Sequence, residues 1–354
     1  MLNFTVGPVQ MNEEILQIGA EQIPYFRTPE FSEIMKENES LMKKFVFAEQ
    51  NARVLYLTSS GTGAMEAAVM NVLTKQDNVL VVNGGGFGQR FVDLCRIHEV
   101  PYTEIKLETG QALTQEMLGK YDKESYTGLL VNLCETSTGV LYDLELINDF
   151  CIRKGMLLIV DAISAFMAEM IDMQKYGIDV LITGSQKALA LPPGIAVMVL
   201  GRRAIERIEN ASVPSLYFNL KMALKDGERG QTPFTPAVSI LIQLNKRLKM
   251  VDEIGINEEL RRVKELAQDF RNKIAGLPLK LAAESPASSV TALMPIDGSS
   301  AYEIYTTLKE KYNIWVCPNG GALAERIFRV GHLGALTQED NTTLVCALKE
   351  ILNS

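Results

Sequence analysis

Between residues 50 and 200 short apolar runs alternate with amphipathic stretches, and the runs lack the strict apolar/polar alternation of a half-exposed sheet. Parallel strands covered by helices on both faces have this texture. Runs at 54–58, 78–83, 128–132, 157–161, 180–184 and 195–200 predict strands; stretches at 64–73, 89–98, 114–121 and 144–154 predict helices. Together they describe a large, doubly wound α/β domain with a mainly parallel sheet. Past residue 240 the texture changes to a long charged helix at 258–275, short strands at 280–283, 289–295, 314–317 and 327–330, and helices at 301–312 and 338–352. That order predicts a smaller α+β domain over 241–354, joined by residues 1–15, beside a large domain over 16–240.

A chain of 354 residues suits two domains. A net charge of −8, with Lys and Arg scattered rather than striped, argues against nucleic acid as a partner. The most apolar stretch, 188–200, is broken by Pro192, Pro193 and Gly194, so no membrane span is expected, and the first residues lack a basic start and an apolar leader. The five cysteines are odd in number and have no CxxC spacing, which favours reduced thiols over bridges or a metal site. His98 and His332, the only histidines, build neither a metal set nor a Ser-His-Asp set. The expectation is a soluble cytoplasmic enzyme acting on small molecules, with no metal.

Two residues carry most of the chemical signal. Asp161 closes the apolar run Leu157-Leu158-Ile159-Val160, and Lys187 follows Val180-Leu181-Ile182-Thr183-Gly184-Ser185-Gln186. Strand ends of an open α/β sheet form its ligand crevice. A lysine there, partly buried and so lowered in pKa, can form a Schiff base, and an aspartate there can keep a pyridine ring protonated. The bland alternatives are a helix-capping aspartate and a solvated lysine.

Three further turns stand at strand ends. Ser59-Ser60-Gly61-Thr62-Gly63 opens a helix, and its free N–H groups suit a phosphate or an ordinary capped turn. Asn83-Gly84-Gly85-Gly86-Phe87-Gly88-Gln89-Arg90 leaves Phe87 as one bulky group that could stack on a ring or enter the core. Glu135-Thr136-Ser137-Thr138-Gly139 offers hydroxyls, or a turn rich in local hydrogen bonds. Arg329, inside the apolar run Ile327-Phe328-Arg329-Val330, suits either a substrate carboxylate or an internal salt bridge.

These motifs, with Gly7-Pro8 near the start and Ser185-Gln186-Lys187-Ala188 before Pro192-Pro193-Gly194, occur in one order. In combination the chain resembles the class V aminotransferases of PLP-dependent fold type I, in the alanine–glyoxylate, serine–pyruvate and 2-aminoethylphosphonate–pyruvate transaminase group. The resemblance implies pyridoxal 5'-phosphate (PLP) bound through a Schiff base to Lys187, with Asp161 as its pyridinium partner. It also implies phosphate contacts from Ser60, Gly61, Thr62 and Gln186, and ring contacts from Phe87, Thr136 and Ile163. Arg329 becomes the substrate-carboxylate clamp. The family's homodimers place active sites at the interface, and Thr235 is the residue that would reach the partner's phosphate. One departure is Phe26, in Tyr25-Phe26-Arg27-Thr28-Pro29, where relatives usually carry His.

The function implied is transfer of an amino group from a small donor (alanine, serine or 2-aminoethylphosphonate type) to pyruvate or glyoxylate. One alternative is a lyase of cysteine-desulfurase type, which predicts a His before the lysine, where Gln186 stands, and a mobile reactive Cys, against Cys317 in a strand-like run. The other is a non-catalytic protein that keeps the fold for binding.

Overall fold

The computed structural model describes residues 1–352. Seven strands form the large sheet: β1 Arg53–Leu57, β2 Val79–Asn83, β3 Tyr102–Lys106, β4 Gly128–Asn132, β5 Leu157–Asp161, β6 Val180–Gly184 and β7 Ala196–Leu200. Their spatial order is β1-β7-β6-β5-β4-β2-β3. β7 runs antiparallel to β1 and β6, and the other pairs are parallel. β2, β4, β5, β6 and β7 are buried at every position, which is why their sequences show no alternation. β3 was not among the expected strands. It is an edge strand, Tyr-Thr-Glu-Ile-Lys, in which only Ile105 is buried, so it carries little apolar signal.

Helices pack on both faces. Three of them, α1 Glu13–Gly19, α2 Pro29–Phe45 and α6 Val238–Ile254, also lie outside the expected elements. α2 starts where the Thr28 hydroxyl accepts from the Phe31 N–H, with Pro29 in the first turn where no N–H is needed. It buries Phe31, Met35, Met42 and Phe45 in the same core as Leu241, Leu244, Leu248 and Val251 of α6. The expected division at 240/241 therefore falls inside a helix whose apolar face belongs to the large core. α3 Gly61–Val72, α4 Gly86–Ile97 and α5 Leu144–Lys154 follow β1, β2 and β4 in the chain.

A separate core of Phe4, Phe270, Leu293, Leu308, Phe328 and Leu344 lies under a four-stranded antiparallel sheet. The run expected as one strand at 314–317 divides: Ile314–Trp315 pairs in parallel with Leu2–Asn3, and Cys317–Pro318 pairs with Phe328 and Arg329. The N-terminal segment is shared, since Phe4 enters this core while Val6, Val9 and Ile15 enter the large one. Register places the C-terminal ends of β4, β5 and β6 side by side, with Asn132 opposite Asp161 and Asp161 opposite Ile182.

Candidate active site

Lys187 lies just past β6 on a loop that folds back on itself. The Ser185 hydroxyl donates to the Pro192 carbonyl (2.7 Å) and accepts from the Ile195 N–H (3.2 Å). The Ala190 N–H closes the turn onto the Lys187 carbonyl at 2.8 Å. Lys187 is only 7% exposed. Burial lowers its pKa from 10.5 to about 8; Arg329 adds to the lowering, while Cys317, Cys134 and Asp161 oppose it. Gly7 packs on the lysine stem: its φ is +137°, and a Cβ there would stand 2.8 Å from Lys187 Cδ. The Val9 N–H donates to the Gln186 carbonyl at 3.2 Å, so the N-terminal segment clamps this loop.

Asp161, at the end of β5, is 4% exposed, and its Oδ1 accepts from the Ile163 N–H at 2.8 Å. Burial raises its pKa from 3.8 to about 6, Glu135 adds to the rise, and the Ile163 bond, Lys187 and Arg90 restrain it. A helix-capping role is not what the geometry gives. Its other oxygen has no hydrogen-bond partner among the described residues.

Ser60 stands at the N-cap of α3 without making a side-chain cap bond, which leaves the first N–H groups of that helix for another acceptor. Glycine is needed next to it, since a Cβ on Gly61 would meet Ile163 Cδ1 at 2.1 Å. The Thr62 hydroxyl accepts from Arg90 Nη1 at 2.9 Å, and the same guanidinium lies 4.4 Å from the centre of the half-buried Phe87 ring. Phe87 is therefore tied to the α3 turn rather than sunk in the core.

The buried Thr136 hydroxyl pairs with that of Ser164 at 2.6 Å. The Thr136 carbonyl accepts from Arg329 Nη1 (3.2 Å), and the Pro318 carbonyl accepts from Arg329 Nη2 (2.6 Å). Two fixed carbonyls thus hold the guanidinium plane. Arg329 has no carboxylate partner among the described residues, and its buried Nε bonds to nothing there, so the salt-bridge alternative is not realised. Burial pulls its pKa below the usual arginine value, with Cys317 and Glu135 opposing.

Gln186 is half-buried, its Oε1 folded over Gly184. Thr235 is exposed on the rim of a groove shared with Tyr56, Tyr217 and Phe234; the structure does not group it with the other residues within one chain. Its loop is held by Arg27, which donates to the Thr232 carbonyl at 2.8 Å and the Pro233 carbonyl at 3.1 Å, while Phe26 is buried. His332 is fully buried against the Thr291 hydroxyl (2.7 Å), and burial pushes its pKa down to about 3, so it stays neutral.

Two residues near the site were not expected there. Cys317 lies opposite Arg329 in the small sheet, and its Sγ accepts from the Val6 N–H at 3.3 Å. Glu135 is wholly buried and joins the starts of α4 and the 135–139 turn. The sequence signal for Glu135 is an acid directly after a buried strand and before a turn of hydroxyl residues. Cys317 carries no such signal.

A sheet of this order, with a buried lysine, a buried carboxylate and an unpaired arginine gathered at the site, defines a class of enzyme. The chain belongs to the aminotransferase class-V family, whose profile matches residues 25–334. It is a transaminase of PLP-dependent fold type I, a family whose reaction moves an amino group from an amino substrate to an oxo acid. Over 354 residues it is 34% identical to a Synechococcus protein named soluble hydrogenase, small subunit, covering 98% of this chain and 91% of that one. It is 29% identical to L-aspartate–glyoxylate aminotransferase of Paracoccus denitrificans, covering 94% of this chain and 86% of that one. It superposes on the crystal structure of alanine–glyoxylate aminotransferase from Nostoc with a TM-score of 0.92 at 25% identity, covering 99% and 95% of the two chains. Among the described residues no helix is long and apolar enough to cross a membrane.

Proposed function

We propose that this protein is a PLP-dependent aminotransferase moving an amino group from a small amino donor, of alanine, serine or 2-aminoethylphosphonate type, to a small 2-oxo acid such as glyoxylate or pyruvate. The observation that carries the reading is the pairing of a buried Lys187, lowered to about 8, with a buried Asp161 whose second oxygen has no hydrogen-bond partner among the described residues. The donor set fits the cofactor. The uncapped turn at Ser60, Gly61 and Thr62 suits a phosphate, and Gln186 stands next to Lys187 in its loop. When bound, PLP supplies an aldehyde that takes up amines and a ring that withdraws electrons from the adjoining carbon.

The chain's own residues do the rest. Asp161, buried and with Oδ2 unbonded among the described residues, would hold the cofactor's ring nitrogen in its protonated form. Lys187 Nζ would be the group that holds the cofactor, and its lowered pKa would let the free amine accept and give up a proton near neutral pH. Arg329 presents its held guanidinium to the substrate carboxylate. Phe87 and Ile163 would contact the cofactor ring, and Thr136 would serve its hydroxyl. Thr235 would reach the phosphate held by a second copy in a homodimer, a role supported by its exposure and by exposed Tyr25, Leu216 and Tyr217. The free cysteines fit the reducing cytoplasm.

Cys317 beside Lys187 keeps the desulfurase reading in view. Its strand and its bond from Val6 argue against the mobility that reaction needs. The test is transamination between alanine and glyoxylate by the PLP-loaded protein, with Lys187→Ala as the inactive control. Full activity in Lys187→Ala, or sulfide release from cysteine that Cys317→Ser abolishes, would overturn the proposal.

A further inference from the structure

Glu135 has no relative exposure and no cation within ion-pair distance among the described residues. A buried carboxylate normally needs a counter-charge. Here five donors replace it. Oε2 accepts from the N–H groups of Phe87 (3.2 Å) and Gly88 (3.1 Å) and from Asn132 Nδ2 (3.0 Å). Oε1 accepts from the Ser137 N–H (3.1 Å) and hydroxyl (2.5 Å). Two of these donors are in the first turn of α4, where the helix dipole favours an anion. One side chain thus joins the end of β4, the first turn of α4 and the 135–139 turn.

Two of the joined pieces carry a residue of the reaction site. The first turn of α4 holds Phe87, and the 135–139 turn holds Thr136, whose carbonyl fixes Arg329. We infer that Glu135 is a positioning residue for transamination, setting the Phe87 ring and the Arg329 guanidinium in register through the α4 start and the Thr136 turn. The inference rests on the roles proposed above for Phe87 and Arg329. Glu135 needs to touch neither substrate nor cofactor.

Glutamine at this position is a sharp probe, because all five partners are donors. In either amide orientation the new NH2 meets a backbone N–H that needs an acceptor, that of Ser137 on one side or those of Phe87 and Gly88 on the other; the Ser137 hydroxyl and the Asn132 amide can turn to accept, but the backbone N–H groups cannot. Glu135→Gln, loaded with PLP, is expected to weaken the visible circular dichroism of the bound cofactor and raise KM for the amino donor about tenfold, the size of one lost charge-assisted hydrogen bond. Combined with Phe87→Ala, the effects are expected to be non-additive, since both act through one ring. A purely structural Glu135 would lower the melting temperature and leave the dichroism and KM as in wild type.

Gly85→Ala gives the same test with the charge retained. Its Cβ would lie 2.5 Å from Ser137 Oγ and 2.7 Å from Glu135 Cδ, so it displaces the carboxylate, while the extended backbone at Gly85 (φ 166°) accepts alanine. Ser137→Ala, which removes one donor, is expected to move both readouts in the same direction by less. Folded Glu135→Gln or Gly85→Ala protein with wild-type dichroism and KM would overturn the inference, as would additive effects with Phe87→Ala. These outcomes are separate from those of the Lys187→Ala control, which decides the reaction itself.

Discussion

Replacing Arg329 by lysine tests how the site reads its substrates. The guanidinium is held by the Thr136 carbonyl at 3.2 Å and the Pro318 carbonyl at 2.6 Å. With no carboxylate beside it among the described residues, it can offer a planar fork to an incoming one. A lysine ammonium keeps the charge but cannot serve both carbonyls and pair bidentately with a carboxylate. Hydrogen bonds to charged groups contribute roughly 1.5–3 kcal/mol each. Losing one such bond raises KM about tenfold, and losing two about a hundredfold. The assay is steady-state transamination with alanine and glyoxylate, compared with an amine donor that has no carboxylate. Arg329→Lys is expected to raise KM for both carboxylate substrates by about 10- to 100-fold and to leave the simple amine unaffected. KM values within threefold of wild type for alanine and glyoxylate would refute the clamp.

Two other perturbations probe the lysine. In cofactor-free protein, Lys187→Met removes a charge whose burial, read from the fall of its pKa from 10.5 to about 8, costs about 3 kcal/mol while it is protonated. The unfolded chain binds that proton more tightly, so wild-type stability rises with pH between about 8 and 10.5. Urea unfolding is therefore expected to show Lys187→Met more stable at pH 7 and the gap closing over that window; a gap that does not change with pH contradicts the burial argument. Gly7→Ala puts a Cβ 2.8 Å from Lys187 Cδ at a φ of +137° that alanine rarely adopts. With a backbone cost of about 1–3 kcal/mol, PLP affinity measured by absorbance titration is expected to fall about tenfold or more. Unchanged affinity would show that the close contact does not shape the lysine.

The sequence made visible what burial makes uniform. β4, β5 and β6 are apolar along their length because helices cover both faces, and their ends carry Asp161 and lead to Lys187. β3 was hidden because an edge strand needs little apolar surface. Near the expected division at residue 240, α6 carries charged residues, yet its Leu241, Leu244 and Leu248 pack in the large core. At the site, glycines and the lone lysine stood out as residue types. Glu135 did not, since its role depends on backbone N–H groups of α4 that only the folded chain brings to it. Gly7 on Lys187 is likewise a contact between distant segments.

The most direct measurement is to load the protein with PLP, reduce it with borohydride and map the modified peptide by mass spectrometry. A phosphopyridoxyl group on Lys187 alone is the expected result, and Lys187→Ala should carry none. A modification confined to another lysine, with Lys187 unaltered, would contradict the assignment of the site.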